Sequence, residues 1–486
     1  VIADIILAID VGTSYVKAAL LDRDGRLLGR AAQSYTPRQT APGSTELDPE
    51  IWIEHIASTV GELTATGIDL NRLAGIGLSA RGELAIFLDE AGRVLTPAWL
   101  DRRAMPAVAS LAAKIGEDTD YYQSRWLASK TYHLRQTAPD LFARLDRPVF
   151  VRDFIQYRLT DTIATDPSSG PPDGIWSARH WDAVGFPVEK LAPVRPHTDL
   201  AGWLTPAAAD RLGLPMGLPV GVGGHDGACA NAGAGAIRSG QVCLTFGTRG
   251  VARAVSSVAP TSVVERRIYP FRFLPGRWCY SEPVQAGGSA PTLVASVLAG
   301  PQPTAPSNDA LHAELSSSAQ AIAPGSGGVL YLPFPSGQIS PQLRLDARAA
   351  FLGMSADTTR AHLYRASLEG VAFAFRSVVE RHRENGLSLD DYRLSGGGAR
   401  NTLWVQLTAD VLRETITVVE DEEGLRGAAM FLAVALGWFD SPEAAAEAWV
   451  RKVRTAEPSR DAETYEPLYR RYRRLVDAVY EAERTG

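Results

Sequence analysis

The chain has 486 residues, 45% of them hydrophobic and 21% charged, with a formal net charge of -6. That length exceeds what one hydrophobic core supports, and the composition is that of a folded globular protein, so two domains are expected and disordered or fibrous classes are excluded. The acidic balance supplies no global positive field, which leaves nucleic acid outside the expected partners.

The longest apolar stretches, Ile5 to Ile9 and Ala428 to Leu436, are too short to cross a bilayer. The first residues carry no charged-then-apolar signal, and a cytoplasmic protein without a membrane partner is expected. Three cysteines, Cys229, Cys243 and Cys279, show no CxxC spacing, and eight histidines show no HxxxH or HExxH pair. Buried reduced thiols are expected, and a transition-metal centre is not.

In chain order, Ile5 to Ser14, Tyr15 to Leu21 and Arg26 to Arg30 are apolar runs separated by a Gly12-Thr13 turn and an Asp24-Gly25 turn. They predict a three-stranded antiparallel meander. Pro49 to Leu63 has the apolar spacing of a helix packed on that sheet, and Gly75 to Leu78 and Leu84 to Leu88 read as further strands, which together indicate an α/β domain. Near the middle, Thr245-Phe-Gly247-Thr248-Arg-Gly-Val251 repeats the Val11-Gly12-Thr13-Ser-Tyr-Val16 pattern. Two related domains, 1-240 and 241-486, are therefore expected. Pro301 to Pro306 and Ser316 to Gly328 read as surface connections, Leu394 to Gly398 as a strand entering a glycine turn, and Thr402 to Leu412 as the helix that follows. Tyr465, Leu468, Tyr472, Leu475 and Val479 mark one face of a C-terminal helix whose arginines form a solvated face.

A triphosphate needs donors close around its oxygens, and a Gly-Thr turn supplies backbone N–H groups and a hydroxyl without obstruction. Gly12-Thr13-Ser14 and Gly247-Thr248 are two such turns; each alone reads first as an ordinary hairpin, and it is their duplication that favours phosphate binding. Facing each other across a cleft they would clamp a phosphate chain. Asp10 ends the first strand and would hold Mg²⁺ through water, with Lys17 adding positive charge. No Gly-Lys pair occurs, so a P-loop is excluded. Gly397 and Gly398, followed by Asn401, would let an adenine ring approach the backbone.

Asp226 follows a strand that ends in glycines and precedes an Ala/Gly-rich helix. An exposed acid there suits the orientation and late deprotonation of an alcohol in phosphoryl transfer; the structural alternative is a helix N-cap. Arg81, Glu83, Trp99 and Asp101 combine charge with an aromatic face, which suits a polyhydroxylated ligand, while Arg102 and Arg103 read as surface ion-pairing residues.

Asp10-Val-Gly-Thr-Ser, Gly223-Gly-His-Asp226, Phe246-Gly-Thr248 and Ser395-Gly-Gly-Gly-Ala-Arg-Asn401 resemble, in order and spacing, the FGGY family of carbohydrate kinases over nearly the whole chain. Ala349 to Gly353 with His362 to Gly370 resembles that family's second signature. The resemblance implies two RNase H-like, actin-like ATPase domains with a catalytic cleft that takes Mg-ATP and sugar and closes on them. It further implies Asp226 as general base, Thr13, Ser14 and Thr248 on phosphates, Gly397, Gly398 and Asn401 beside adenosine, and Asp10 serving the metal.

For the substrate the motifs divide. Glu83 is similar to the Arg-Glu of glycerol kinases, whereas Trp99-Leu-Asp101-Arg and Leu332-Pro-Phe-Pro-Ser-Gly337 resemble xylulokinase motifs. Gly227, Gln338-Ile339 and His133 depart from the family pattern. A xylulokinase-like pentulose kinase is the leading expectation, ahead of an erythritol, glycerol or signalling-hydroxyketone kinase. An actin-like ATPase without a sugar substrate and a silent sugar-binding regulator are the readings outside that class. A homodimer is compatible with the sequence.

Overall fold

The computed structural model describes residues 3–41, 44–82, 84–116, 127–170, 177–260, 269–284, 286–300, 308–338, 340, 342 and 344–485. By internal contacts the chain divides into one unit formed by Val1–Ile237, Pro270–Trp278 and Glu422–Val450, and another formed by Arg238–Tyr269, Cys279–Asp421 and Arg451–Gly486.

The first unit opens with the expected meander, β1 (Ile5–Val11), β2 (Tyr15–Asp22) and β3 (Leu27–Ser34), paired antiparallel in that order. Ile5 to Ile9 are buried throughout, with no polar alternation. Such a run fits an interior strand covered on both faces, and β1 has the strand Leu73–Ala80 in parallel on its other side. The parallel sheet continues to Pro219–Gly221, and Leu200–Trp203 closes that edge antiparallel. The helix Glu50–Thr64 buries Trp52, Ile53, Ile56, Val60 and Leu63 against this sheet, the face its spacing predicts. The short strand Gly224–His225 also pairs with Leu73–Ala80, so several strands end together at one edge.

In the second unit the strand Gln241–Phe246 pairs antiparallel with Gly250–Ser256 and in parallel with Asp391–Ser395. Asp391–Ser395 lies parallel to Ile416–Val419, which is antiparallel to Lys452–Ala456. Each unit thus carries an antiparallel hairpin, a parallel pair beyond it and an antiparallel closing strand. The repeat seen in two short sequence segments extends to sheet topology.

One expectation is corrected. Ser316 to Gln320 is not a surface connection but the last part of the helix Asn308–Gln320. Leu311, Leu315 and Ala319, four residues apart, form its buried stripe, and this spacing outweighs the serine-rich composition. Pro301 to Pro306 lies outside the described residues. The helices Thr402–Leu412 and Ala462–Thr485 stand where expected. All three cysteines are reduced and buried. Among the described residues no helix is long and apolar enough to cross a membrane.

The second-signature residue Glu369 is a structural clasp. It accepts hydrogen bonds from Gly325 N at 3.1 Å, Ser326 Oγ at 2.9 Å, Arg365 Nε at 2.9 Å and the Tyr465 hydroxyl at 3.0 Å.

Candidate active site

Strand register assembles the first group of candidates. Asp10 stands opposite Lys17 on β2 and opposite Ser79 on the parallel strand, while Ser79 and Ala80 stand opposite Gly224 and His225. Asp10, Ser79, Arg81 and Asp226 are therefore gathered where adjacent parallel strands end, the position at which open α/β sheets present their ligand groups. Arg81 N donates to Val11 O at 2.9 Å, and a side-chain carbon at Gly82 would lie 3.0 Å from the His225 ring.

The turn after β1 is closed by Gly12 N donating to Tyr15 O at 3.0 Å, and Thr13 and Ser14 at its tip are exposed. The Tyr35 hydroxyl caps the turn from behind through Gly12 O. Backbone amides and two hydroxyls are thus presented to solvent beside Asp10.

Asp10 itself is crowded by negative charge. Burial, with Asp226 and Glu422 nearby, pushes its carboxyl up to about 6, against the opposing effects of Ser79 and Lys17. Ser79 Oγ donates to Asp10 Oδ1 at 2.6 Å. Glu422, which carries no motif signal of its own, binds Arg30 Nε at 2.8 Å and stands 3.7 Å from Lys17 Nζ. Lys17 is therefore already engaged with a carboxylate. A side chain at Gly424 would approach Asp10 Oδ2 at 3.4 Å.

Asp226 is not the helix cap. His225 holds that position in the helix Asp226–Gly233, its Nδ1 accepting from Ala228 N at 3.2 Å. Asp226 is the first helical residue, half-buried, with Oδ1 accepting from Gly227 N at 2.7 Å. The small residues behind it allow the helix Glu423–Ala435 to approach closely, so that a methyl group on Gly427 would fall 1.8 Å from Cys229 O.

Trp99 and Asp101 form a second group. Asp101 Oδ2 accepts from Arg103 Nη2 at 2.7 Å and from Thr45 N at 2.8 Å, and Arg103 Nη1 also reaches Glu46 at 2.7 Å. Burial would raise the Asp101 carboxyl, but the bonds from Arg103 and the Thr45 amide outweigh it and hold the group down at about 2. Arg103 is accordingly ion-paired as expected, but as a half-buried clasp that stacks toward Trp99 and not as an open surface residue. His133 meets the Trp99 ring edge-on at 5.4 Å, and Lys130 Nζ donates to Trp99 O at 2.8 Å. Among the described residues no hydrogen bond or ion pair joins Asp101 to Asp226. Glu83 lies outside the described residues. Arg81 keeps its buried Nε and Nη1 without a hydrogen-bond partner among them.

Within the second unit, Gly247, Gly287–Gly288 and Gly396–Gly398 converge. Gly288 N donates to Gly247 O at 2.7 Å and Ser289 N to Thr248 O at 3.0 Å. Gly396 has φ +88, and a side chain there would lie 2.9 Å from Phe246 O, so this position requires glycine. Gly397 faces open space. Asn401 caps the helix Thr402–Leu412 through Trp404 N at 3.2 Å and donates to Ser316 Oγ at 2.9 Å, which commits its side chain structurally. Gly287 and Gly288 had no sequence signal, because their partner is a distant turn.

The N-terminal-domain model of the FGGY family of carbohydrate kinases matches residues 5–233, and the family's C-terminal-domain model matches residues 250–436. The chain belongs to the FGGY family of carbohydrate kinases. It is 28% identical over 488 residues to a xylulose kinase of Bacillus subtilis, covering 97% of this chain and 96% of that protein. The crystal structure of a xylulose kinase from Rhodospirillum rubrum superposes with TM-score 0.84 at 27% identity, covering 98% of this chain and 99% of that one. A ligand-bound xylulose kinase from Lactobacillus acidophilus shares the fold with TM-score 0.87 at 21% identity, covering 98% and 99%. This FGGY kinase is a sugar phosphotransferase that acts on a small-molecule substrate, and its two-domain α/β fold is that of the family.

The residues around Asp10 suit a hard dication. Asp10 offers a carboxylate, and Asp226 and Glu422 add negative charge that a cation would relieve. Among the described residues no three His, Cys, Asp or Glu side chains form a closed metal cage. Magnesium, which binds through one or two carboxylates, waters and substrate phosphates, needs no such cage.

Proposed function

We propose that this FGGY kinase transfers the terminal phosphoryl group of Mg-ATP to a hydroxyl of a pentulose such as xylulose, with Asp226 as general base. The observation that carries the assignment is that His225 takes the helix cap, so the Asp226 carboxylate, close enough to Asp10 to raise its carboxyl, has no capping duty. The hydroxyl oxygen forms a bond to the terminal phosphorus, the bond from that phosphorus to the bridging oxygen breaks, ADP leaves, and the hydroxyl proton passes to Asp226 late in the reaction. When bound, Mg²⁺ would neutralise charge on the phosphates, with Asp10 as its protein partner. Gly12, Thr13, Ser14 and Lys17 of the first unit are assigned to phosphates. Gly247, Thr248, Gly397 and Gly398 of the second are assigned to the nucleotide, where Asn401 acts by fixing the loop. Arg81, Glu83 and Trp99 are assigned to the sugar, with Asp101 holding the Trp99 surroundings through Arg103. The xylulose kinases among the relatives support the pentulose.

The test is ADP release from purified protein with Mg-ATP against a panel of pentuloses, hexuloses and polyols. Sugar-dependent release with a pentulose is expected, and release with erythritol, glycerol or a hydroxyketone alone would replace the pentulose reading. Asp226→Ala should abolish transfer while ATP still binds. Near-normal turnover in that variant would remove the assigned base.

A further inference from the structure

The chain segment that delivers Asp226 is held by buried charge. Val222 N donates to Asp199 O at 2.9 Å, and Val222 O accepts from Arg152 Nη1. Gly223 exchanges bonds with His197, its N donating to His197 O at 3.2 Å and its O bonded to His197 Nδ1 at 2.9 Å. His225 N donates to Ser168 Oγ at 3.3 Å. The Arg152, Ser168 and His197 anchors converge on Asp166, which binds Arg152 Nη2 at 3.1 Å, accepts from Ser168 N at 2.7 Å and from Ser168 Oγ, and stands 3.5 Å from His197 Nδ1. Arg152 also pairs with Asp153. Arg152, Asp153, Asp166, Ser168 and His197 are all at most 3% exposed.

Burying Arg152 with its carboxylate partners Asp153 and Asp166 is costly, and replacing such a set with apolar side chains is often neutral or stabilising. Stability alone therefore gives little reason for it. What the set does is fix successive backbone groups of one short segment, and that segment ends at the carboxylate assigned as base. Gly223, at φ +65, already turns the chain so tightly that any side chain would lie 1.9 Å from Leu78 O, so local backbone alone leaves little adjustment.

We propose that Arg152, Asp166, Ser168 and His197 are positioning residues that hold the 222–225 segment and thereby aim the Asp226 carboxylate at the sugar hydroxyl. The proposal rests on the reading of Asp226 as base. None of the four touches the reacting atoms. Burial keeps His197 neutral, with Nδ1–H donating to Gly223 O, and the charge of Arg152 holds Asp166 ionised against its own burial.

The test compares Ser168→Ala and His197→Ala with Asp226→Ala and with the double variant Ser168→Ala/Asp226→Ala. Each is assayed for kcat, KM for sugar, ATP affinity by calorimetry and thermal midpoint. Because a displacement of about 1 Å can cost on the order of a hundredfold in rate, Ser168→Ala should lose roughly tenfold or more in kcat with ATP affinity and midpoint little changed. It should cause no further loss in the Asp226→Ala background. His197→Gln, which keeps a donor, should recover part of the His197→Ala loss. Wild-type kcat in both Ser168→Ala and His197→Ala would overturn the positioning role even if Asp226→Ala is dead, and so would an equal fold-loss from Ser168→Ala read on the residual turnover of Asp226→Ala. A fully active Asp226→Ala would instead remove the base itself.

Discussion

Ser79 Oγ donates a 2.6 Å hydrogen bond to Asp10 Oδ1 across two parallel strands. The bond favours the ionised carboxylate, yet burial and the charges of Asp226 and Glu422 win, and the group rises from the ordinary 3.8 to about 6. A carboxyl that binds its proton more tightly folded than unfolded contributes stability that is fully present below the ordinary value and is lost as pH rises through about 6. Asp10→Asn should therefore raise the melting temperature at pH 8 in metal-free buffer by a few degrees, and by much less at pH 4, while abolishing phosphoryl transfer. Ser79→Ala should move the acid limb of the kcat profile upward. A melting difference that is the same at both pH values would show that the charge on Asp10 carries no strain.

Gly427→Ala should damage the first unit severely. The added carbon would meet the Cys229 carbonyl oxygen at 1.8 Å and its carbon at 2.6 Å, both backbone atoms within a helix that cannot swing aside. A loss of about 3 kcal/mol or more is expected, read by urea unfolding. An unchanged unfolding midpoint would mean that the two helices part without cost.

Much of this arrangement was legible in the sequence because local rules decide it. Apolar runs and turn residues placed β1 to β3, and the repeated Gly-Thr turn anticipated a second hairpin. Asp226 was legible as an acid at a strand end, but whether it or His225 would cap the helix depends on one residue of register that spacing does not resolve. Asp166, Ser168 and His197 were invisible, since each acts on a segment distant in sequence. Arg103 pairs with its sequence neighbour Asp101, as an ion-pairing residue would, but its partial burial was not legible, because only the fold brings Glu46 to it and the Thr45 amide to Asp101.

Arg103→Ala should cost on the order of 2 kcal/mol, because it leaves Asp101 and Glu46 half-buried without their shared cation. The Asp101 carboxyl is depressed in the folded chain, so its contribution is present above the ordinary carboxylate value and is lost as pH falls toward about 2. The difference in melting temperature between wild type and Arg103→Ala should therefore be largest at pH 6 and shrink by pH 2.5. A difference independent of pH would assign the loss to packing on Trp99 instead.

Arg81 gives the sharpest test of the sugar assignment. Its Nε and Nη1 are buried without a hydrogen-bond partner among the described residues, at the strand edge that also carries Asp10 and leads to Asp226. A buried donor left unmade costs free energy, and a ligand oxygen would recover it, typically about 1.5–3 kcal/mol for a charged donor. Arg81→Ala should then weaken sugar binding by roughly ten- to a hundredfold in calorimetry, leave ATP affinity within about twofold, and not lower the melting temperature. Arg81→Lys should recover little of the loss, since one ammonium cannot reproduce two fixed N–H directions. If Arg81→Ala instead destabilised the fold and left sugar affinity intact, the guanidinium would be serving the protein interior and the sugar contact would belong elsewhere.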